Sequence, residues 1–325
     1  MPRQARLDAA GALHHIMVRG INKTDIFSDA KDKKMLIERL GAAVIEGQCA
    51  IYAWAVMDNH SHILFRSGKH GISDVMRKVL TWYAQYYNRR HNRTGHLFEN
   101  RYKSILYDEE RYLIALVRYI HLNPIRAKVV LSLEELDNYP WSGHRVIVRK
   151  EKNKWMDIEH VLAQFGETRR QAIREYRRFM FEGLTMGKQP ELTGGGLIRS
   201  LGGWSQVLSQ RRKRQREEAD ERILGRGDFV NAVLKEAEDR QIRQIKLRSA
   251  GKTVQRLMEE ECDRGRISIA ELKNGSRRSK VSEARRVIAH RCREELGISA
   301  AEIARYLGVN TSSIIKAIAR FEQKC

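Results

Sequence analysis

The sequence predicts an α+β fold: a largely antiparallel sheet with packed helices, followed by an all-α module. Three observations carry this. Up to about residue 145, short apolar runs alternate with stretches of helical periodicity. From Asp220 onward the pattern is helical with no clear strand. Between them, Pro190, Gly194-Gly195-Gly196 and Gly202-Gly203 interrupt both patterns, and the basic run Arg211-Arg212-Lys213-Arg214-Gln215-Arg216 follows.

The elements follow in order. Leu13–Arg19 reads as a strand, and 33–46 has apolar residues at helical spacing. A strand over 50–57 meets turn chemistry at Asp58-Asn59, and the next strand covers 61–65. An aromatic-rich helix spans 73–91, a strand 102–106, and a helix 109–122 that Pro124 stops. This strand-helix-strand-strand-helix-strand-helix order suits a sheet covered by helices. Residues 141–148 extend that domain, and 167–181 is charged and helix-like. The predicted division is 1–148, the α+β domain; 149–219, a helical extension and basic Gly-rich linker; and 220–325, an all-α domain.

With 61 Lys and Arg against 40 Asp and Glu, the 325-residue chain carries a net charge of +21. Such an excess points to a polyanionic partner, because surface cations release counterions when they meet phosphates. The longest apolar run, Cys49–Met57, cannot span a bilayer, which takes about 20 residues. No secretory signal pattern follows Met1, so the expected location is cytoplasmic, with no membrane partner. The four cysteines, Cys49, Cys262, Cys292 and Cys325, have no metal-finger spacing and read as reduced thiols.

Two short motifs carry chemistry. In His60-Ser61-His62 the imidazoles are two residues apart at the start of a strand, so both project from one face toward a single metal ion. The neighbouring His14-His15 pair points to opposite faces and reads as structural. Tyr119 and Asn123 are four residues apart and share a helix face. A phenolic oxygen can attack phosphorus and store the bond energy as a phosphotyrosine. Asn123 can add a carbonyl oxygen as third metal ligand, and the metal would polarise the scissile phosphate. Tyr112, two turns earlier on nearly the same face, is the rival nucleophile. Trp82, Tyr83, Tyr86 and Tyr87 form an aromatic patch read as core, with base stacking the lesser alternative.

Together these blocks resemble the HUH single-strand transposases, specifically the REP-associated tyrosine transposases of bacteria. The matching stretches are Leu13-His14-His15-Ile16 with Arg19-Gly20; Trp54 through Asn59-His60-Ser61-His62-Ile63-Leu64; Gly95-His96-Leu97-Phe98 with Arg101-Tyr102-Lys103-Ser104; and Tyr119-Ile120-His121-Leu122-Asn123-Pro124-Ile125-Arg126-Ala127. The resemblance implies a ferredoxin-like antiparallel sheet with the histidine pair on a central strand. It also implies metal ligation by His60 and His62, Tyr119 as nucleophile and Asn123 at the polar third-ligand position. The implied partners are Mg²⁺ or Mn²⁺ and single-stranded hairpin DNA of short palindromic-repeat type, with a homodimer left open. One departure is Ser61, where the family usually has a bulky apolar residue.

Ser299–Ile315 reads as a helix-turn-helix. Ser299 and Glu302 form a capping box, Gly308 permits the turn, and Asn310 or Thr311 caps the second helix. Thr311, Ser312, Ser313 and Lys316 begin the recognition helix, while Arg277, Arg278 and Lys280 lead into a helix carrying Arg285 and Arg286. This stretch resembles the C-terminal DNA-binding domain of the replication initiator DnaA, without its Arg-Asp-His signature. The expected function is therefore metal-dependent nicking and rejoining of single-stranded hairpin DNA, with a second module that holds duplex DNA. The alternatives are a DNA-binding regulator on a catalytically retired scaffold and a replication initiator or relaxase.

Overall fold

The computed structural model describes residues 7, 9–68, 71–186, 189, 192, 222–225 and 227–322. The chain forms two compact units, Met1–Val233 and Leu234–Cys325. The basic run 211–216 and the glycine clusters at 194–196 and 202–203 lie outside the described residues.

In the first unit the strands are β1 (Leu13–Arg19), β2 (Ala50–Val56), β3 (His60–Arg66), β4 (Lys103–Tyr107) and β5 (Ile223–Leu224), in sheet order β2-β3-β1-β4-β5. β1 pairs antiparallel with β3 and β4, and β2 pairs antiparallel with β3, so the histidine pair sits on a central strand as the resemblance implied. Two features differ from expectation. β5 falls in the stretch read as helical from Asp220 onward, and it pairs parallel with β4, so the sheet is mixed. A two-residue strand has no periodicity of its own; only the neighbouring edge of β4 makes it one.

The helices are α1 (Ala30–Glu46), α2 (Ser73–Arg90), α3 (Glu109–His121), α4 (Asn123–Arg126), α5 (Leu133–Asn138), α6 (Gly143–Val148), α7 (Ile158–Leu162) and α8 (Arg169–Glu182). α1 starts where the Asp29 carboxylate accepts the Asp32 N–H at 3.0 Å. α3 opens on Glu109 and Glu110, which suit the positive end of its dipole, and it ends before Asn123-Pro124. α3 packs on the sheet face that carries His15 and His62, as its ring contacts show. Gly41 of α1 abuts Trp155, which packs on Trp54; Trp54 pairs with Ile63 and so lies on the other face from His62. The extension read from residue 149 is, through α7 and α8, part of this core: Ile158, Val161, Tyr176 and Met180 are buried in the same cluster as the sheet.

The long helix Gly227–Ser249 carries the chain across the boundary at Val233. In the second unit Ser279–Leu296 is the central helix, contacting Val254–Gly265, Ile269–Lys273, Ala300–Tyr306 and Thr311–Glu322. Ser299 Oγ accepts the Glu302 N–H at 3.2 Å, and Asn310, rather than Thr311, caps the following helix by accepting the Ser313 N–H at 2.7 Å. Gly308 is left-handed at φ +63°, and a Cβ there would lie 2.5 Å from the Lys273 carbonyl oxygen. Cys262 and Cys292 are buried free thiols, and Cys49 is half-buried, its thiol donating to the Gly47 carbonyl at 3.2 Å.

Candidate active site

The turn before β3 is tightly held. Ile26 and Phe27 N–H groups donate to the Asp58 carbonyl at 2.9 and 3.1 Å, and Lys33 pairs with the Asp58 carboxylate at 2.7 Å. Strand alternation then puts His60 and His62 on one face, with ring centroids 5.3 Å apart and edge to face.

Each ring is oriented by its Nδ1. Asn59 donates its amide N–H to the Lys23 carbonyl at 3.1 Å, which leaves its Oδ1 to accept from His60 Nδ1, 2.6 Å away. His60 therefore carries its proton on Nδ1 and a lone pair on Nε2. His62 Nδ1 lies 2.8 Å from His15 Nε2. Among the described residues no hydrogen bond engages Nε2 of either His60 or His62. Burial pulls His62 well below the usual imidazole pKa. Burial also lowers His60, helped by the exposed Arg19 guanidinium on the strand position opposite. Both rings are thus neutral at neutral pH, the form that ligates metals.

Tyr119 is half-buried on α3, with its ring edge-on to His62 at 6.1 Å and to His15 at 5.8 Å. Arg126 covers the Tyr119 ring at 5.1 Å and donates to the Tyr119 carbonyl at 3.1 Å. Tyr112 packs elsewhere, against Tyr107 at 5.8 Å and Arg111 at 5.4 Å, and its ring touches no histidine ring among the described residues. The two tyrosines are seven residues apart, and only the later one reaches the histidines. Asn123 is buried at the first position of α4 and donates its amide N–H to the Tyr119 carbonyl at 3.0 Å, which leaves Oδ1 as its acceptor.

Two neutral imidazoles with Nδ1 occupied suit a divalent cation; the Asn123 amide, one turn after the tyrosine, bonds to the Tyr119 carbonyl and has no contact with either histidine among the described residues. Among the described residues no group of three or more His, Cys, Asp or Glu side chains is placed to hold a metal, so a third ligand would be this amide or water.

Three residues at this site escaped sequence reasoning. His15, read as structural, is buried against His62 and Tyr119. Its parity along β1 put it on one face, but only the β1–β3 register shows which. Arg19 sits directly opposite His60. Arg126 is seven residues, two helical turns, after Tyr119, a spacing that was legible.

The aromatic patch divides in two. Tyr83 and Tyr87 are buried, whereas Trp82 and Tyr86 are half-exposed and stack 5.5 Å apart at an interplanar angle of 3°.

In the second unit Thr311, Ser312, Ser313, Lys316, Arg277, Arg278 and Lys280 are all exposed. The Gly308–Lys273 contact sets the loop bearing Arg277 against the helix-turn-helix turn. Arg278 is paired with Glu271. Arg285 turns inward: its guanidinium donates to the Leu272 carbonyl at 3.0 and 2.7 Å and to the Ser276 carbonyl at 2.5 Å. Its charge is spent on shaping that loop, a role the sequence did not indicate.

The first unit thus has a four-stranded antiparallel core with packed helices, one face of which sets paired histidines beside a helical tyrosine. Residues 10–123, a stretch that contains both histidines, Tyr119 and Asn123, match the family model described as "Transposase IS200 like". A solved structure of a REP-associated tyrosine transposase bound to a REP hairpin is 17% identical, with a TM-score of 0.38, covering 48% of this chain and 94% of that one. No curated protein matches the chain.

Proposed function

We propose that this chain nicks and rejoins single-stranded hairpin DNA through a covalent 5′-phosphotyrosine on Tyr119. The observation that carries it is the convergence of His60, His62 and Tyr119, from two distant segments, on one face of a sheet inside an IS200-like domain. Tyr119 Oη attacks the scissile phosphorus, the P–O3′ bond breaks, and the proton lost by the phenol is matched by one gained at the 3′-oxygen. The reverse attack by a 3′-hydroxyl regenerates Tyr119 and reseals a strand. His60, His62 and Asn123 Oδ1 would hold Mg²⁺ or Mn²⁺, which when bound supplies charge stabilisation at the phosphate. Arg126 and Arg19 place fixed positive charge beside the tyrosine and the histidines, where a phosphate would sit.

The second unit is proposed to hold duplex DNA through Thr311, Ser312, Ser313 and Lys316 in the groove and through Arg277, Arg278 and Lys280 on phosphates. Arg285 acts there by shaping the loop. No helix among the described residues is long and apolar enough to cross a membrane. We place the protein in the cytoplasm, with DNA as its substrate.

The test is a labelled hairpin oligonucleotide pool incubated with the protein and Mn²⁺ or Mg²⁺. Wild type should form a denaturation-resistant protein–DNA adduct, and Tyr119→Phe should lose it by at least about a hundredfold. No adduct from wild type would instead favour a retired, DNA-binding scaffold; an equal adduct from Tyr119→Phe would refute the nucleophile.

A further inference from the structure

We propose that His15 is a positioning residue: its Nε2 accepts the Nδ1 proton of His62 and so presents the His62 Nε2 lone pair to the metal. The inference rests on the metal-dependent reading above.

The two rings are 5.1 Å apart, centroid to centroid, with the nitrogens at 2.8 Å. A contact of that length between two neutral imidazoles needs one donor and one acceptor. It admits two tautomer pairs. If His15 donates, His62 is protonated on Nε2 and that nitrogen cannot ligate. If His62 donates, its Nε2 carries the lone pair. Ligation through His62 Nε2 requires the second arrangement, in which His15 Nε2 accepts and His15 carries its own proton on Nδ1. His15 is wholly buried. His62 is itself buried, so water does not compete for its Nδ1. His60 reaches the same tautomer through Asn59, a side-chain carbonyl held by the Lys23 backbone. The two histidines of the motif are thus oriented alike by different acceptors. His15 is unusual in the pairing because it is itself an imidazole whose tautomer must first be set. It also packs edge-on against Tyr119, so the ring that orients His62 borders the nucleophile.

The tautomer of His62 can be read without metal, DNA or turnover, from long-range ¹H–¹⁵N correlations of the ¹⁵N-histidine-labelled full chain at neutral pH. We expect His62 protonated on Nδ1 in wild type. His15→Phe removes the acceptor at similar volume. It should move His62 toward the Nε2-protonated form and weaken Mn²⁺ binding, measured by calorimetry, by roughly 10- to 100-fold. His15→Gln restores a side-chain carbonyl and should recover both readouts to within a few-fold of wild type. A wild-type spectrum with His62 protonated on Nε2 would overturn the proposal, as would a His15→Phe protein with unchanged tautomer and unchanged Mn²⁺ affinity. If His15→Phe does not fold, the wild-type spectrum and His15→Gln still decide. Absence of a DNA adduct from wild type, with His62 protonated on Nδ1, would sink the strand-nicking function and leave the positioning role standing.

Discussion

Ser61 shows how one residue can be right for the site and wrong for the core. It separates the two histidines, so strand alternation turns it to the opposite face, flanked by Val18 and Val56 on the neighbouring strands. Its hydroxyl is fully buried and has no hydrogen-bond partner among the described residues. A buried unsatisfied hydroxyl costs about 1–3 kcal/mol. Ser61→Ala should therefore stabilise the first unit by about 1 kcal/mol and raise its melting temperature by roughly 2–4 °C, read by calorimetry. Adduct formation should be unaffected, because the side chain faces away from the histidines. A lower melting temperature would mean that the hydroxyl has a partner after all. The departure from a bulky apolar residue at this position was visible in the sequence; the cost was not, because it depends on burial.

At the scale of elements, the first unit is tied together by histidines held neutral. β1 and β3 meet through His15 and His62. α3, α6 and α8 meet where the Tyr176 hydroxyl lies 2.8 Å from both His121 Nδ1 and His144 Nδ1, and His144 Nε2 lies 2.8 Å from the Asp137 carboxylate. Burial depresses the pKa of all four rings, His15 to about 3. The sign follows directly. Above the unfolded imidazole pKa of about 6.5 neither state is protonated, and stability is full. As pH falls below that value the unfolded chain takes up protons that the folded rings refuse, so stability is lost. Each histidine contributes a slope of at most about 1.4 kcal/mol per pH unit between its unfolded and folded pKa, a window that for His15 reaches down to about 3. Denaturant titrations from pH 7 to pH 4 should show a steep loss of stability in the first unit. A flat profile would mean that these rings protonate freely in the fold. The elements themselves were largely legible: strand 13–19 has the predicted bounds, and 50–57, 73–91 and 109–122 differ by one residue at an end. Their spacing of apolar residues is local. β5 was not legible, since its pairing partner lies more than a hundred residues earlier.

For the whole molecule, the boundary between units matters to any dissection. Residues 220–325 read as one helical module, yet Ile223, Leu224 and Val230 are buried in the first unit, and β5 completes its sheet. Truncation at Asp220 would strip an edge strand from the sheet of the first unit. Ending the chain after Ser249 retains β5 and the long helix while removing the helices from Val254 to Glu322. That shortened protein should bind duplex DNA more weakly, with a shallower dependence of log K on log salt, as follows from the proposal that the exposed Arg277, Arg278 and Lys280 meet phosphates. It should still form the Tyr119 adduct on a short oligonucleotide. Loss of the adduct on every substrate would mean that the two units do not act as separable modules.

The sequence by itself determined the local periodicities, the strand that aims His60 and His62 to one side, the turn of helix linking Tyr119 to Asn123, and the charge that calls for a polyanion. Each is a property of residues within a few positions of one another. The tertiary structure set Tyr119, and not Tyr112, beside the histidine rings, brought His15 from β1 against His62, and turned Arg285 inward to its loop carbonyls. These outcomes depend on strand register and helix placement, which the burial of the whole core selects and no short window of sequence contains.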